Sequence, residues 1–345
     1  MKKGFFTFTT LTLLITAFTF NSCSKNNDTI APRQIGSDST GIPVPPPTGV
    51  AQNVVYGTAT DWQGNKQSLT MDIHFPTNAA SGKLYPLVVY IHGGGFVDGD
   101  KTLAATKCEI LADSGFVAAT INYRLGWANN GVQECHGDTA SLNMALYRAM
   151  QDANAAIRYL VANANKYIID PNWIFVAGNS AGGATTLMSS YITDAYAAAR
   201  YPGAAAKLGP LHSADNSLTS SYTIKGICSI AGGVEDSTVI NNATAIPTIF
   251  FQGEEDAVIP INGGYYLGCT NYPKIYGTNV MYRRLIASGT TAVAHLLPNA
   301  GHGNNGESGF DDPYMMSNTS CFFHSLMRKG PSQTGMYIGL VNSCK

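Results

Sequence analysis

The segment Gly178-Asn179-Ser180-Ala181-Gly182-Gly183 holds a serine between glycines in G-x-S-x-G spacing. The apolar run Trp173 to Ala177 precedes it, and Ala184, Thr185, Thr186, Leu187 and Met188 continue it as a helix-compatible stretch. A sharp strand-to-helix turn puts such a serine in strained backbone geometry at a helix N-terminus, while the glycines leave room for strand and helix to close behind it. A glycine-rich turn before a helix can be purely structural, so the strand–turn–helix context is what favours the nucleophile reading. A hydroxyl is a poor nucleophile at neutral pH, so Ser180 needs a base within hydrogen-bond reach and an acid that fixes the base's tautomer.

In nucleophile turns of this kind the acid and then the histidine follow in chain order. The apolar run Ile246 to Phe251 ends in Gln252-Gly253-Glu254-Glu255-Asp256, and Ala292 to Leu297 ends in Pro298-Asn299-Ala300-Gly301-His302-Gly303. Asp256 is the expected acid, with Glu254 and Glu255 as rivals and Asp236 as the outside choice. Of the seven histidines, His302 is the expected base, because His295 falls inside a strand-like run and His324 inside a terminal helical stretch. Attack on an acyl carbon also needs preorganised backbone N–H groups for the oxyanion. Ala181 is expected to give one, and the run His92-Gly93-Gly94-Gly95-Phe96 offers others at Gly94 and Gly95.

Positioning these residues requires strands that end close together. Short runs rich in Val and Ile recur at Pro86 to Ile91, Phe116 to Ile121, Trp173 to Ala177, Ile224 to Ile230, Ile246 to Phe251 and Ala292 to Leu297. Continuous apolar runs of this length suit strands buried on both faces. The intervening segments are long enough for crossover helices, most clearly Asp138 to Asn165, whose apolar residues repeat at helical spacing. Alternation of this kind implies an α/β protein with a doubly wound, mostly parallel sheet. Val54 to Ala59 and Gln67 to Phe75 alternate instead, as an antiparallel hairpin at the sheet edge would. Ligands of such sheets bind beyond the carboxyl ends of the strands, where every candidate above is expected.

These motifs together resemble the α/β-hydrolase fold in its HGGG carboxylesterase group, akin to the carboxylesterase and hormone-sensitive-lipase branches. HGGGFVDGD from His92, NYRLG from Asn122, GNSAGG from Gly178, the turn Gly253 to Pro260 and AGHG from Ala300 follow in order over about 210 residues. The resemblance implies Ser180 as nucleophile, His302 as base, Asp256 as orienting acid, and Gly94, Gly95 and Ala181 as the oxyanion hole. Asn179 departs from the acidic residue more usual before the serine. The resemblance further implies a serine carboxylesterase working through an acyl-serine intermediate with neither metal nor other cofactor. Short-chain or aryl esters are the expected substrates, including acetyl or feruloyl groups on polysaccharide. The alternatives are a peptidase of the prolyl-oligopeptidase kind, whose relatives usually carry a propeller that this chain lacks, and a catalytically silent binding module. The stretch Asp194 to Ser221 and the tyrosines Tyr265, Tyr266, Tyr272 and Tyr276 are candidates for the pocket wall, though the tyrosines equally suit ordinary packing.

Lys2 and Lys3 precede an apolar, Thr-rich run from Phe5 to Phe20, and Asn21, Ser22 and Cys23 follow. That is the layout of a signal peptide over residues 1–22, and the small residue before Cys23 resembles the lipobox of bacterial lipoproteins, although Phe20 and Asn21 depart from it. Lipidation of Cys23, a tether over residues 23–50 rich in Asn, Ser and Pro, and a single domain over 51–345 are therefore expected. Such an anchor is expected to place the protein in the cell envelope, with periplasmic or secreted forms as the alternative. Seven cysteines less Cys23 leave six for disulfides; proximity favours Cys108 with Cys135, Cys321 with Cys344, and Cys228 with Cys269, while Cys228 also suits a buried free thiol. With 21 Lys+Arg against 22 Asp+Glu the net charge is −1, too little positive charge to grip nucleic acid. A hydrophobic content of 45% beside 12% charged residues, against roughly 25% in an average domain, rules out a disordered chain.

Overall fold

Along the central strands, alternate side chains feed two different cores. In a computed structural model that describes Met1 and residues 45–130, 135–303, 306–328 and 333–344, Leu87, Val89 and Ile91 of one strand join one buried cluster, and Val88 and Tyr90 join the other. Both faces of the sheet are therefore covered, which is why these strands read as unbroken apolar runs.

The elements follow the expected alternation. They are β1 (Val50–Thr60), β2 (Lys66–His74), β3 (Tyr85–Ile91), α1 (Ala105–Asp113), β4 (Val117–Ile121), α2 (Thr139–Ala162), β5 (Ile169–Asn179) and α3 (Ala181–Tyr191). Next come α4 (Asp194–Arg200), α5 (Pro202–Leu208), β6 (Ile224–Ile230), β7 (Thr248–Gly253), β8 (Gly264–Tyr265), β9 (Lys274–Ile275) and α6 (Thr278–Ala287). The chain continues through β10 (Ala292–Leu297), α7 (Asp312–Met327) and β11 (Gly335–Ile338).

Nine strands form one sheet in the order β1-β2-β4-β3-β5-β6-β7-β10-β11. From β4 to β11 every pairing is parallel, while β1 and β2 form the antiparallel hairpin at one edge. β3 and β5, which lead into the glycine run and into Ser180, are hydrogen-bonded neighbours. Residues of α2, α3 and α6 pack on one face; α1 and α7 pack on the other, where the Phe175 and Phe323 rings stack with centroids 4.2 Å apart. The helix α2 begins where Asp138 accepts the Ser141 N–H as an N-cap.

The contacts divide the chain into Met1–Pro32 and Arg33–Lys345. Apart from Met1, the first unit lies outside the described residues, as do the expected signal peptide, Cys23 and the tether up to residue 44. No helix among the described residues is long and apolar enough to cross a membrane.

Among the described residues two disulfides form, Cys321–Cys344 as expected and Cys135–Cys269 across 134 residues. The expected pairs Cys108–Cys135 and Cys228–Cys269 do not form. Cys108 and Cys228 are buried free thiols in the core between the sheet and α1 and α7. Cys135 instead meets Cys269 where the segment before α2 passes the loop between β8 and β9, and Asn271 donates to the Cys135 carbonyl there.

Candidate functional site

Ser180 occupies a turn that L-residues seldom adopt, with φ 52° and ψ −120°. A backbone held there costs about 1–3 kcal/mol and persists only when its surroundings enforce it. Part of that enforcement comes from β6, whose Ile230 carbonyl accepts the Ser180 N–H at 2.9 Å. Close packing supplies more: a Cβ on Gly182 would overlap the Ile91 carbonyl oxygen, so the start of α3 can lie against the end of β3 only as glycine.

The turns after β7 and β10 bring Asp256 and His302 to this serine. They are stitched to each other by backbone bonds from Glu254 N–H to the Leu297 carbonyl (3.0 Å) and from Glu255 N–H to the Ala300 carbonyl (2.9 Å). Ser180 Oγ donates to His302 Nε2 at 2.8 Å. On the other side of the ring, His302 Nδ1 lies 3.0 and 2.9 Å from the two oxygens of Asp256, a network that assigns the proton to Nδ1. Ser180, His302 and Asp256 thus lie in one hydrogen-bonded chain.

The rivals lie elsewhere. Glu254 and Glu255 are exposed, and Asp236 accepts the Tyr196 hydroxyl and caps a short turn at Thr238. His295 is buried against Tyr314 and Ser343, and His324 bonds the Ser114 carbonyl.

Peptide planarity fixes the direction of the glycine-run amides. In a trans peptide the N–H points opposite to the C=O of the same unit. The Gly93 carbonyl is held by His92 Nδ1 at 2.7 Å, which turns the Gly94 N–H the other way. The Gly94 carbonyl accepts the Val97 and Asp98 N–H groups, which does the same for Gly95. Tyr123 donates its hydroxyl to the His92 carbonyl and stacks on the His92 ring, giving a physical role to the tyrosine of the NYRLG segment. Burial lowers the His92 pKa, which keeps its ring neutral and able to serve as a fixed donor. The run lies over Ser180, since a Cβ on Gly93 would stand 3.2 Å from the Ser180 Cβ. Ala181 opens α3, so its N–H belongs to the helix turn that lacks intrahelical acceptors.

Three features of the site were not read from sequence. Gln252 donates through Nε2 to Asp256 Oδ2 (3.1 Å) and to the Ile259 carbonyl (2.6 Å), and its Oε1 accepts the Thr278 N–H. Its only sequence signal is a glutamine closing an otherwise apolar strand. Gly306 lies over the reacting pair: a Cβ there would overlap that of Ser180 and come within 3.0 Å of His302 Nε2. The next residue, Glu307, is tied to the buried Lys107 at 2.8 Å, and Lys107 also pairs with Asp312. The third is Glu235, which lines a pocket beside Ser180.

That pocket has a volume of about 40 Å³ and is walled by Phe96, Ala181, Ala184, Met188, Tyr266 and Glu235, among others. It touches both candidate oxyanion segments, through Phe96 and Ala181. The structure corrects two expectations here. The stretch Asp194 to Ser221 contributes nothing to this pocket; residues 218–221 line a larger cleft of about 920 Å³ at the amino ends of β6 and β7, which contains neither the serine nor the glycine run. Of the four tyrosines only Tyr266 lines the pocket. Tyr272 is buried edge-on against Trp127, Tyr265 is exposed, and Tyr276 bridges to Val234 through its backbone. Among the described residues no group of three His, Cys, Asp or Glu side chains is gathered to hold a metal.

A nine-stranded, mostly parallel sheet with a strained serine after β5, an acid after β7 and a histidine after β10 defines the architecture. The chain has the α/β-hydrolase fold. A family model, BD-FAE, matches residues 71–237, a span that contains Ser180 and the glycine run and ends before Asp256 and His302. Mouse carboxylesterase 3B is 31% identical over 122 residues, 34% of this chain and 20% of the mouse protein. The chain therefore spans about a fifth of that relative's length.

Among solved structures, a truncated carbohydrate esterase from gut microbiota superposes with a TM-score of 0.56 at 17% identity, covering 81% of this chain and 97% of the other. The butyrate-bound thermophilic esterase 2 of Thermogutta terrifontis gives 0.54 at 18% identity, covering 81% and 94%. At such identities the likeness is one of fold.

Proposed function

We propose that the protein is a serine carboxylesterase that cleaves short-chain carboxylic esters through an acyl-serine intermediate. The observation that carries this reading is the continuous chain Ser180 Oγ, His302, Asp256, set beside a small apolar pocket. His302 takes the serine proton as Oγ attacks the acyl carbon, and Asp256 stabilises the imidazolium that forms. The N–H groups of Gly94, Gly95 and Ala181 receive the oxyanion. His302 then protonates the departing alcohol, and water repeats the sequence to release the acid. The alcohol can be a small molecule or a sugar hydroxyl of a polysaccharide, a choice favoured by the likeness to a carbohydrate esterase.

The pocket volume supports a short acyl group. A cavity that holds benzene measures about 150 Å³, so about 40 Å³ admits a few methyl-sized groups, and a feruloyl ring must displace side chains such as Tyr266.

The test is hydrolysis of nitrophenyl esters from acetate to decanoate, with acetylated xylan and methyl ferulate beside them, by the wild type and Ser180→Ala. Acetate should be cleaved best, with the variant lower by about four to six decades. Equal, negligible rates in two folded proteins would move the binding-module reading to the front.

We also infer an exported, tethered protein, with a signal peptide over residues 1–22, lipid on Cys23 and a linker to residue 50. Two disulfides support an oxidising compartment. Metabolic labelling with a fatty acid should mark the wild type and spare Cys23→Ala; absence of label on both would leave plain secretion.

A further inference from the structure

The pocket beside Ser180 holds one charged group that ester cleavage does not use. Glu235 lies among apolar walls, its side chain only 7% exposed. Taking a carboxylate out of water is costly unless it is paired, and burial raises its pKa, opposed by the nearby Arg200. Arg200 Nη2 reaches Glu235 Oε2 at 2.7 Å from a side chain that is 43% exposed, and the buried Tyr201 hydroxyl lies near enough to stabilise the carboxylate as well.

Its position suggests what it does. Ala181, Ala184 and Met188 share one face of α3, and at 1.5 Å per residue that face runs about 10 Å from the oxyanion end. Glu235 follows β6 through Gly232 and Gly233, and Gly232 packs against Gly183 near the start of α3. Its partner Arg200 belongs to α4, the helix that follows the far end of α3. Glu235 thus stands in the pocket wall, tied through Arg200 to the helix that follows α3.

We propose that Glu235, held by Arg200, is the acyl-length stop of this enzyme. An acetyl or propionyl tail ends before it. A longer alkyl chain meets a carboxylate and must strip its remaining water or break its pairing, either of which weakens binding in the transition state. This inference rests on the proposed ester hydrolysis and adds a determinant of which esters are accepted.

The experiment measures kcat/KM on nitrophenyl acetate, butyrate and octanoate for the purified wild type, Glu235→Leu and Glu235→Gln, with thermal unfolding recorded for each. The octanoate-to-acetate ratio is expected to rise at least tenfold in Glu235→Leu and by less in Glu235→Gln, which keeps the volume and loses the charge. An unchanged ratio in either folded variant overturns the proposal, as does an equal fall on all three esters, which would make Glu235 a support of the site. Should the leucine variant not fold, the glutamine variant decides alone by the direction of its ratio. If the wild type cleaves none of the esters, or Ser180→Ala cleaves them equally well, the esterase reading itself fails. If acetate is cleaved through Ser180 and only the ratio stays flat, this inference fails alone.

Discussion

Asp256 and Asp215 are both aspartates with buried side chains downstream of Ser180, yet their surroundings differ in kind. Asp256, in the turn after β7, accepts the Val258 and Ile259 N–H groups at 2.9 Å each, the Gln252 amide and the His302 ring. All of these are dipoles or the imidazole it serves, and they fix both oxygens in space. Asp215, in the loop between α5 and β6, shares the Arg124 guanidinium with Asp152, at 3.0 and 2.6 Å. Arg124 there answers two carboxylates, with Arg158 adding a weaker attraction on Asp215. Burial alone therefore does not mark a catalytic acid; the donor set does. A carboxylate oriented by amides keeps its charge directed at a forming imidazolium, whereas one crowded by a second carboxylate makes folding depend on pH.

The largest test of this contrast acts on the oriented member. Asp256→Asn keeps the shape but offers the ring an amide, which favours the wrong imidazole tautomer; kcat is expected to fall by about 10⁴ with little change in melting temperature. Gln252→Leu leaves the carboxylate and removes one of the groups that aim it. Misplacement by a fraction of an ångström should cost roughly tenfold to a hundredfold. Steady-state kinetics on nitrophenyl acetate checks both, and a Gln252→Leu enzyme as slow as Asp256→Asn, or as fast as the wild type, would break the claim that the donors orient the acid.

Much of this arrangement was legible in the sequence, for a physical reason. Parallel strands buried on both faces are unbroken apolar runs, so β6 and β10 are legible to the residue and β3, β4, β5 and β7 within a few residues at each end. The residues past their carboxyl ends then identified Ser180, Asp256 and His302 as neighbours before any coordinates. The two-residue strands β8 and β9, and β11 with its exposed Met336 and Ile338 on the sheet edge, bury too little to leave such a pattern. Cys135 and Cys269 meet across 134 residues because of the chain's path, which proximity in sequence cannot supply. Gln252, Gly306 and Glu235 are ordinary in type, and their roles arise only from convergence in space.

The crowded member of the comparison should speak through stability alone. Burial, reinforced by Asp152, pushes the Asp215 carboxyl up to about 8, against an ordinary value near 4. Between those values the folded chain holds a proton that the unfolded chain has released, so the unfolded state binds fewer protons and stability falls as pH rises through that window. The wild type should therefore lose melting temperature between pH 5.5 and pH 8.5. Asp215→Asn retains an oxygen for Arg124 and removes the titration, so its decline should be smaller by on the order of 2–5 °C, with acetate turnover within twofold of the wild type. Because Asp215 also accepts the Thr58 N–H through its backbone, which asparagine preserves, the hairpin edge should stay in place. Parallel declines in the two proteins would mean that Arg124 neutralises both carboxylates after all, and the contrast with Asp256 would then reduce to geometry.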